Sequence, residues 1–274
     1  MNEDVTYWLE MAEVRVLEEV FGLATAQPAD PVGAEILEVG GGVATALTAV
    51  DIGFFNRTVG LGIERPLTEE DLDAVVAFYD RLARSTSVIQ LAPQARPAGA
   101  DAWLTERGFA KGRRWAKVWR PVDGSVEVAT SLRIEPVAGA AQRPDFERIL
   151  TAAFEFPSII APMASAPVGR PGWTHFIGYD GDEAVSAAAM YVVDRVAWFG
   201  YGATLEAFRG RGGQSAMFAA RLRLAAELGC RYAVTETGEE TPDEPNPSYR
   251  NMKRMGFRDA YLRQNWIRAA AQVG

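Results

Sequence analysis

The chain has 274 residues, 48% of them hydrophobic, and 28 basic against 36 acidic side chains leave a net charge of -8. That length predicts two domains, each with its own core, and the acidic balance argues against nucleic acid or an anionic membrane as the main partner. One cysteine, Cys230, and one histidine, His175, exclude an intrachain disulfide, a Cys-x-x-Cys site and a His-x-x-x-His metal pair. None of Lys111, Lys117 and Lys253 follows a glycine, as a phosphate-loop lysine would. The first ten residues are polar and no later run reaches membrane-spanning length, so the expectation is a soluble, cytoplasmic protein without a metal.

In chain order, residues 5–23 place Leu9, Val14, Leu17 and Val20 at near-helical spacing and predict an amphipathic helix. Strands at 35–40 and 43–49 flank Gly41-Gly42, and a third at 58–63 completes a meander. Thr68 followed by Glu69, Glu70 and Asp71 is a helix start, and Leu72, Val75, Val76 and Tyr79 carry its apolar stripe to about residue 82. A strand at 88–91, a short helix at 103–107 stopped by Gly108, and a strand at 114–119 follow. Asp123-Gly124-Ser125 is turn-prone, so a boundary is expected within 121–131, giving domains at 1–125 and 126–274.

The second half repeats the order. A strand at 132–137 precedes helices at 145–154 and 158–165, then a hairpin of 175–179 and 185–192 turning at Asp180-Gly181-Asp182. His175, between Trp173 and Phe176, reads as part of that strand rather than as a catalyst. A strand at 196–205, a helix carrying Phe218, Leu222 and Ala225 and stopped by Gly229, and a strand at 232–237 complete a strand-helix-strand unit. Such a unit pairs its strands in parallel, and ligands favour the C-terminal edge of the pair. Both halves run a helix into Gly-Phe, at Gly108-Phe109 and Gly256-Phe257, and then a strand ending in Trp119 or Trp266, which marks an internal repeat. The expected class is therefore α/β of the α+β mixed-sheet kind, with two tandem domains. Each would have a mixed, mostly antiparallel sheet, one parallel strand pair and flanking helices.

Between the strand at 196–205 and its helix runs Phe208-Arg209-Gly210-Arg211-Gly212-Gly213-Gln214-Ser215. Glycines admit an anion close to backbone N–H groups, the following helix presents its positive N-terminus, and two arginines add charge. The first half has no such loop, since Ile63-Glu64-Arg65-Pro66-Leu67 leads straight into its helix. One half is therefore expected to have lost the ligand site.

The strand, the Arg209-x-x-Gly212-x-Gln214 turn, the helix, the next strand and the late Gly256-Phe257 together resemble the GNAT superfamily of N-acetyltransferases, over about residues 130–270. The resemblance implies tandem GNAT-like domains with a degenerate first copy and acetyl-CoA as co-substrate. It places the pyrophosphate of acetyl-CoA on the backbone amides of Arg209, Gly210, Arg211, Gly212, Gly213, Gln214 and Ser215. Gln214 stands where the family has Gly or Ala. The same resemblance gives the pantetheine arm to the backbone of Ala203, Thr204 and Leu205, and puts Asn246, Ser248 and Asn251 beside it.

Transfer to an amine needs a group to take the amine's proton and one to meet the departing thiolate. Glu236, on the strand at 232–237, is the candidate base, with a salt-bridged strand end as its structural alternative; Glu239 and Glu240 are further candidates. The position the resemblance gives to a tyrosine acid is Met252, and Tyr249 could substitute. Trp173, Trp198, Phe199 and Tyr201 fit either core or an acceptor pocket. Two rival classes remain open. Ile36-Leu37-Glu38-Val39-Gly40-Gly41-Gly42 and Asn246-Pro247-Ser248-Tyr249 resemble S-adenosylmethionine methyltransferase motifs, although the glycines read better as a hairpin turn. A protein that binds acyl-CoA without transferring it is the other.

Overall fold

The computed structural model describes residues 3–27, 29–123 and 126–269; Gly124 and Ser125 of the expected turn lie outside the described residues. The first part of the chain forms α1 (Glu3–Thr25), β1 (Ala34–Val39), β2 (Gly42–Leu47), β3 (Arg57–Val59), α2 (Glu69–Arg81), β4 (Thr86–Leu91), α3 (Ala100–Glu106) and β5 (Ala110–Pro121). The second forms β6 (Arg133–Pro136), α4 (Arg143–Phe154), α5 (Ala161–Ser165), β7 (Trp173–Asp180), β8 (Glu183–Val193), β9 (Val196–Thr204), α6 (Gly213–Glu227), β10 (Tyr232–Gly238), α7 (Pro247–Arg254) and β11 (Arg258–Ala269). The architecture is α+β, with seven α-helices among the described residues.

Separate sheets for the two halves were expected. The strands instead follow one order, β1-β2-β3-β4-β11-β5-β10-β9-β8-β7-β6, in an eleven-stranded mixed sheet. The chain clusters into two compact units that are not consecutive: residues 1–117, 236–245 and 259–274 form the first, and 118–235 with 246–258 the second. The C-terminal strand thus joins the unit built mainly from the N-terminal half, a pairing that no local periodicity encodes.

In the first unit, β1 and β2 form a hairpin in which Val39 pairs with Gly42. Gly40 and Gly41 between them have φ of 63° and 76°, the left-handed pair that a two-residue primed turn requires. The glycine run therefore opens strand β2 and not a helix, which removes the methyltransferase motif. The third strand is shorter than its sequence suggests, ending at Val59, because Gly60 and Gly62 take φ of 79° and 74°. β4 pairs in parallel with β3 and antiparallel with β11, in the register Gln264↔Leu91 to Ala269↔Thr86. Leu72, Val75, Phe78 and Tyr79 of α2 pack with Ile89, Leu104, Phe109 and Trp266 into one core.

The second unit is a ladder of antiparallel pairs, β6 with β7, β7 with β8 and β8 with β9, closed by the parallel pair β9 and β10. Phe199, Phe218 and Phe257 make an aromatic core, with ring centroids 5.4 to 6.3 Å apart. Elsewhere in the unit, Trp173, Tyr191 and Trp198 occupy one cross-strand row, and Trp173 and Trp198 are buried.

His175 lies in β7, 2% exposed, its Nε2 3.0 Å from the Ala164 carbonyl and its ring stacked 5.6 Å from Trp173. Burial lowers its pKa from the usual 6.5 to about 4. The folded ring is therefore neutral while an unfolded one takes up a proton below about pH 6.5, so this contribution is fully present above 6.5 and lost as pH falls toward 4. Between neutral pH and 4.5, urea titrations should show the wild type losing about 2 kcal/mol more than His175→Gln. Equal losses would refute this.

Candidate functional site

The arginine-glycine loop begins where β9 ends. Gly210 and Gly212 have φ of 80° and 78°, which L side chains rarely adopt, so the turn needs glycine at both. A Cβ at Gly212 would also lie 2.8 Å from the Ala129 carbonyl oxygen. Gly212 is the N-cap of α6 and offers no side-chain cap, and no acid occupies the first turn. The first helical bond runs from Ala216 N to Gly212 O at 2.9 Å, which leaves the amides of Gly213, Gln214 and Ser215 without an intrahelical acceptor. These donors and the helix dipole favour an anion.

The first unit shows the opposite at α2. Thr68 and Asp71 form a reciprocal capping box, and Glu69, Glu70 and Asp71 fill the first turn. Asp71 is further held by Arg65 through bonds of 2.8 and 2.6 Å. The capping box occupies two of the donors, and the carboxylates of the first turn repel an anion.

The two loop arginines differ. Arg211 is paired with Asp180 at 2.6 Å and lies 5.1 Å from the Phe208 ring centre, while its carbonyl accepts a bond from Thr130 Oγ1 at 3.1 Å. Arg209 is exposed, with Nε 3.4 Å from the Thr204 carbonyl. Thr130 and Asp180, which shape the loop, carry no signal in the sequence because each acts across dozens of residues.

Gln214 does not crowd the turn. Its Nε2 donates to Ser248 Oγ at 2.9 Å and its Oε1 accepts from Asn251 Nδ2 at 3.0 Å. Ser215 Oγ donates to Asn251 Oδ1 at 2.7 Å, and Arg254 reaches the same oxygen at 3.3 Å. Asn246 caps α7, accepting from Tyr249 N at 3.1 Å. Asn246, Ser248 and Asn251 all lie at α7, and these hydrogen bonds tie α7 to itself and to the start of α6. Replacing Gln214 by Ala breaks two of these bonds and should cost about 1–3 kcal/mol, read by urea titration.

The β9 strand forks from its neighbour. Parallel pairing stops at Trp198↔Val234, and Thr235 Oγ1 then donates to the Phe199 carbonyl at 2.7 Å. Toward β8, the register slips by one residue between Ala187 and Ala189, and Tyr201 sits at φ 53°. Beyond this bulge the Ala203 carbonyl accepts from Ser186 Oγ at 2.8 Å, and Leu205 N donates to the Val185 carbonyl at 2.9 Å. Leu205 N is therefore already engaged, while Tyr201 and the exposed Gly202 stand at the bulge. The sequence signal for the bulge is the Gly200-Tyr201-Gly202 spacing inside a strand.

Glu236 belongs to the first unit, whereas the loop belongs to the second. Its Oε2 accepts from Arg263 NH2 at 2.5 Å and Lys117 Nζ at 3.1 Å, and its Oε1 lies 3.5 Å from Arg57 NH1. Glu13 and Glu10 complete this buried ion cluster: Arg263 NH1 bonds Glu13 at 2.7 Å and Glu10 at 3.0 Å, and Lys117 bonds Glu13 at 2.9 Å. Burial works to raise the Glu13 carboxyl, and the charges of Arg263, Lys117 and Arg57 outweigh it, holding it well below the usual carboxylate range. This is the salt-bridged alternative for Glu236, realised with three cations. Glu239 is ion-paired with Arg114, and Met252 is buried, so that position contributes packing. Tyr249 is half-buried in the first turn of α7, with Lys253 Nζ 5.8 Å from its ring centre.

Among the described residues no helix is long and apolar enough to cross a membrane, and no three His, Cys, Asp or Glu side chains group to hold a metal ion. No protein-family model and no curated protein matches the chain. Solved structures do match it over most of its length. A GCN5-related N-acetyltransferase from Kribbella flavida aligns with 95% of this chain and 96% of its own, at 16% identity and a TM-score of 0.63. A tandem GNAT protein from the clavulanic acid biosynthesis pathway covers 93% and 89%, at 15% identity and 0.60. A GCN5-related N-acetyltransferase from Sphaerobacter thermophilus covers 86% and 76%, at 12% identity and 0.59. With its parallel strand pair forking ahead of a glycine turn and an uncapped helix, the chain has the fold of the GNAT superfamily.

Proposed function

We propose that this protein is an N-acyltransferase that moves an acetyl group from acetyl-CoA to a primary amine. The observation that carries the proposal is the start of α6, where two left-handed glycines precede three amides without intrahelical acceptors and no acid intervenes. A pyrophosphate fits that donor set. In this reading the amides of Gly213, Gln214 and Ser215 hold the pyrophosphate, Arg209 adds positive charge, and residues 201–205, at and just past the end of β9, line the thioester arm. The coenzyme, when bound, supplies an activated acyl carbon for direct attack by the amine.

Because both Glu236 oxygens face cations, we assign the amine's proton to water, and the departing thiolate to Tyr249 as proton donor. Glu236→Gln should then leave the shape of the pH-rate profile unchanged; a lost acidic limb would reinstate Glu236 as the base.

The proposal is tested by following thiol release from acetyl-CoA with a panel of amines. Arg209→Glu, on an exposed side chain, should weaken acetyl-CoA binding at least about tenfold by placing negative charge against the pyrophosphate. Retained affinity would sink the site. The buried Met252 favours one competing reading, a non-catalytic acyl-CoA binder, and coenzyme binding without thiol release for any amine would establish it.

A further inference from the structure

Arg221 in α6 is 2% exposed, and burial alone pulls its pKa down, to about 9, with no carboxylate opposing that shift. Its Nε donates to the Met217 carbonyl at 3.0 Å, and NH1 donates to the carbonyls of Ala189 and Gly200 at 3.2 and 3.4 Å. The guanidinium faces two neighbouring rings, 4.5 Å from the centre of Phe199 and 4.8 Å from that of Phe218. A buried cation without an anion is costly, and an apolar side chain would fill this space more cheaply. What the guanidinium contributes is therefore to be sought in the groups it holds.

Those groups sit at the bulge. Ala189 and Gly200 are register partners at the step where β8 and β9 slip, and the extra residue on β9 follows immediately, with Tyr201 at φ 53°. Gly200 is itself covered by Trp198, whose ring would lie 1.8 Å from a Cβ there. Two successive carbonyls, of Phe199 and Gly200, are thus held by side chains, Thr235 Oγ1 and Arg221, at the point where pairing with β10 has ended. A bulge bends its strand and raises its twist, and a left-handed non-glycine residue persists only where its surroundings hold it.

We propose that Arg221 is a positioning residue that pins the β9 bulge and so sets the course of residues 201–205 beyond the fork. The part of this inference that concerns the thioester arm rests on the coenzyme reading above.

Arg221→Met keeps the length and the contacts with Phe199 and Phe218 but removes the donors to Ala189 and Gly200. Amide exchange in residues 200–205 should become at least about tenfold faster, with α4 unchanged as internal control. Acetyl-CoA should bind about tenfold more weakly, while ADP bearing a 3′-phosphate, which has the pyrophosphate but no arm, binds as before. Arg221→Lys, which retains charge and a donor, should recover part of both effects. Unchanged exchange in 200–205, or faster exchange throughout the unit in both variants, would overturn the proposal and leave Arg221 a packing residue. If the wild type binds neither ligand, the coenzyme reading falls, and exchange in 200–205 still decides whether Arg221 pins the bulge.

Discussion

Residues 1–125, expressed alone, are expected not to fold cooperatively. The fragment contains α1 to β5 but lacks β11, which pairs with β4 along six register positions. Without it the β4 edge is open and the core loses Trp266, 4% exposed in the intact chain. Removing a large buried aromatic costs about 3–5 kcal/mol. Arg263 is lost as well, leaving Glu10 and Glu13 buried with fewer cations, and breaking a buried ion pair costs about 3–5 kcal/mol more. Together these match the whole stability of an ordinary domain, about 5–15 kcal/mol. Circular dichroism of the fragment in urea should show no cooperative transition, and adding residues 126–274 should restore one. A two-state transition in the isolated fragment would show that β11 is dispensable.

Arg263→Met is the second large effect. Arg263 is fully buried and bonds Glu10, Glu13, Gln90 and Glu236, and its exchange for an apolar side chain turns a cluster of three cations and three carboxylates into one with excess negative charge. The expected loss is about 3–5 kcal/mol, since the remaining carboxylates stay buried without compensation. Adding Glu13→Gln restores the charge balance and should recover part of that loss, which a mere packing defect would not allow. The measurement is the urea-unfolding free energy of the single and double variants. A loss under about 1 kcal/mol for Arg263→Met would mean that the cluster is solvated enough to rearrange.

Much of the local structure was legible beforehand for identifiable reasons. The capping residues Thr68 to Asp71 marked α2, and Gly41-Gly42 marked a hairpin whose turn lies one residue earlier, at Gly40-Gly41. The β9-loop-α6 unit was legible because a strand, a glycine turn and a helix stop follow one another within about thirty residues. The ion cluster was not, since Glu13, Lys117, Glu236 and Arg263 are up to 250 residues apart in the chain. Glu236 illustrates the difference. A carboxylate near a sheet's ligand edge suggested a base, and only its three cationic neighbours show how it is held.

By itself, the sequence determined most of the elements and the glycine turn suited to an anion, because propensity, capping and turn chemistry act over a few residues. Tertiary structure alone decided that β11 completes the first unit, that Glu236 lies among three cations, and that Gln214 turns toward α7 and away from the loop. Those outcomes depend on which distant side chains burial brings together, and no local pattern carries that information.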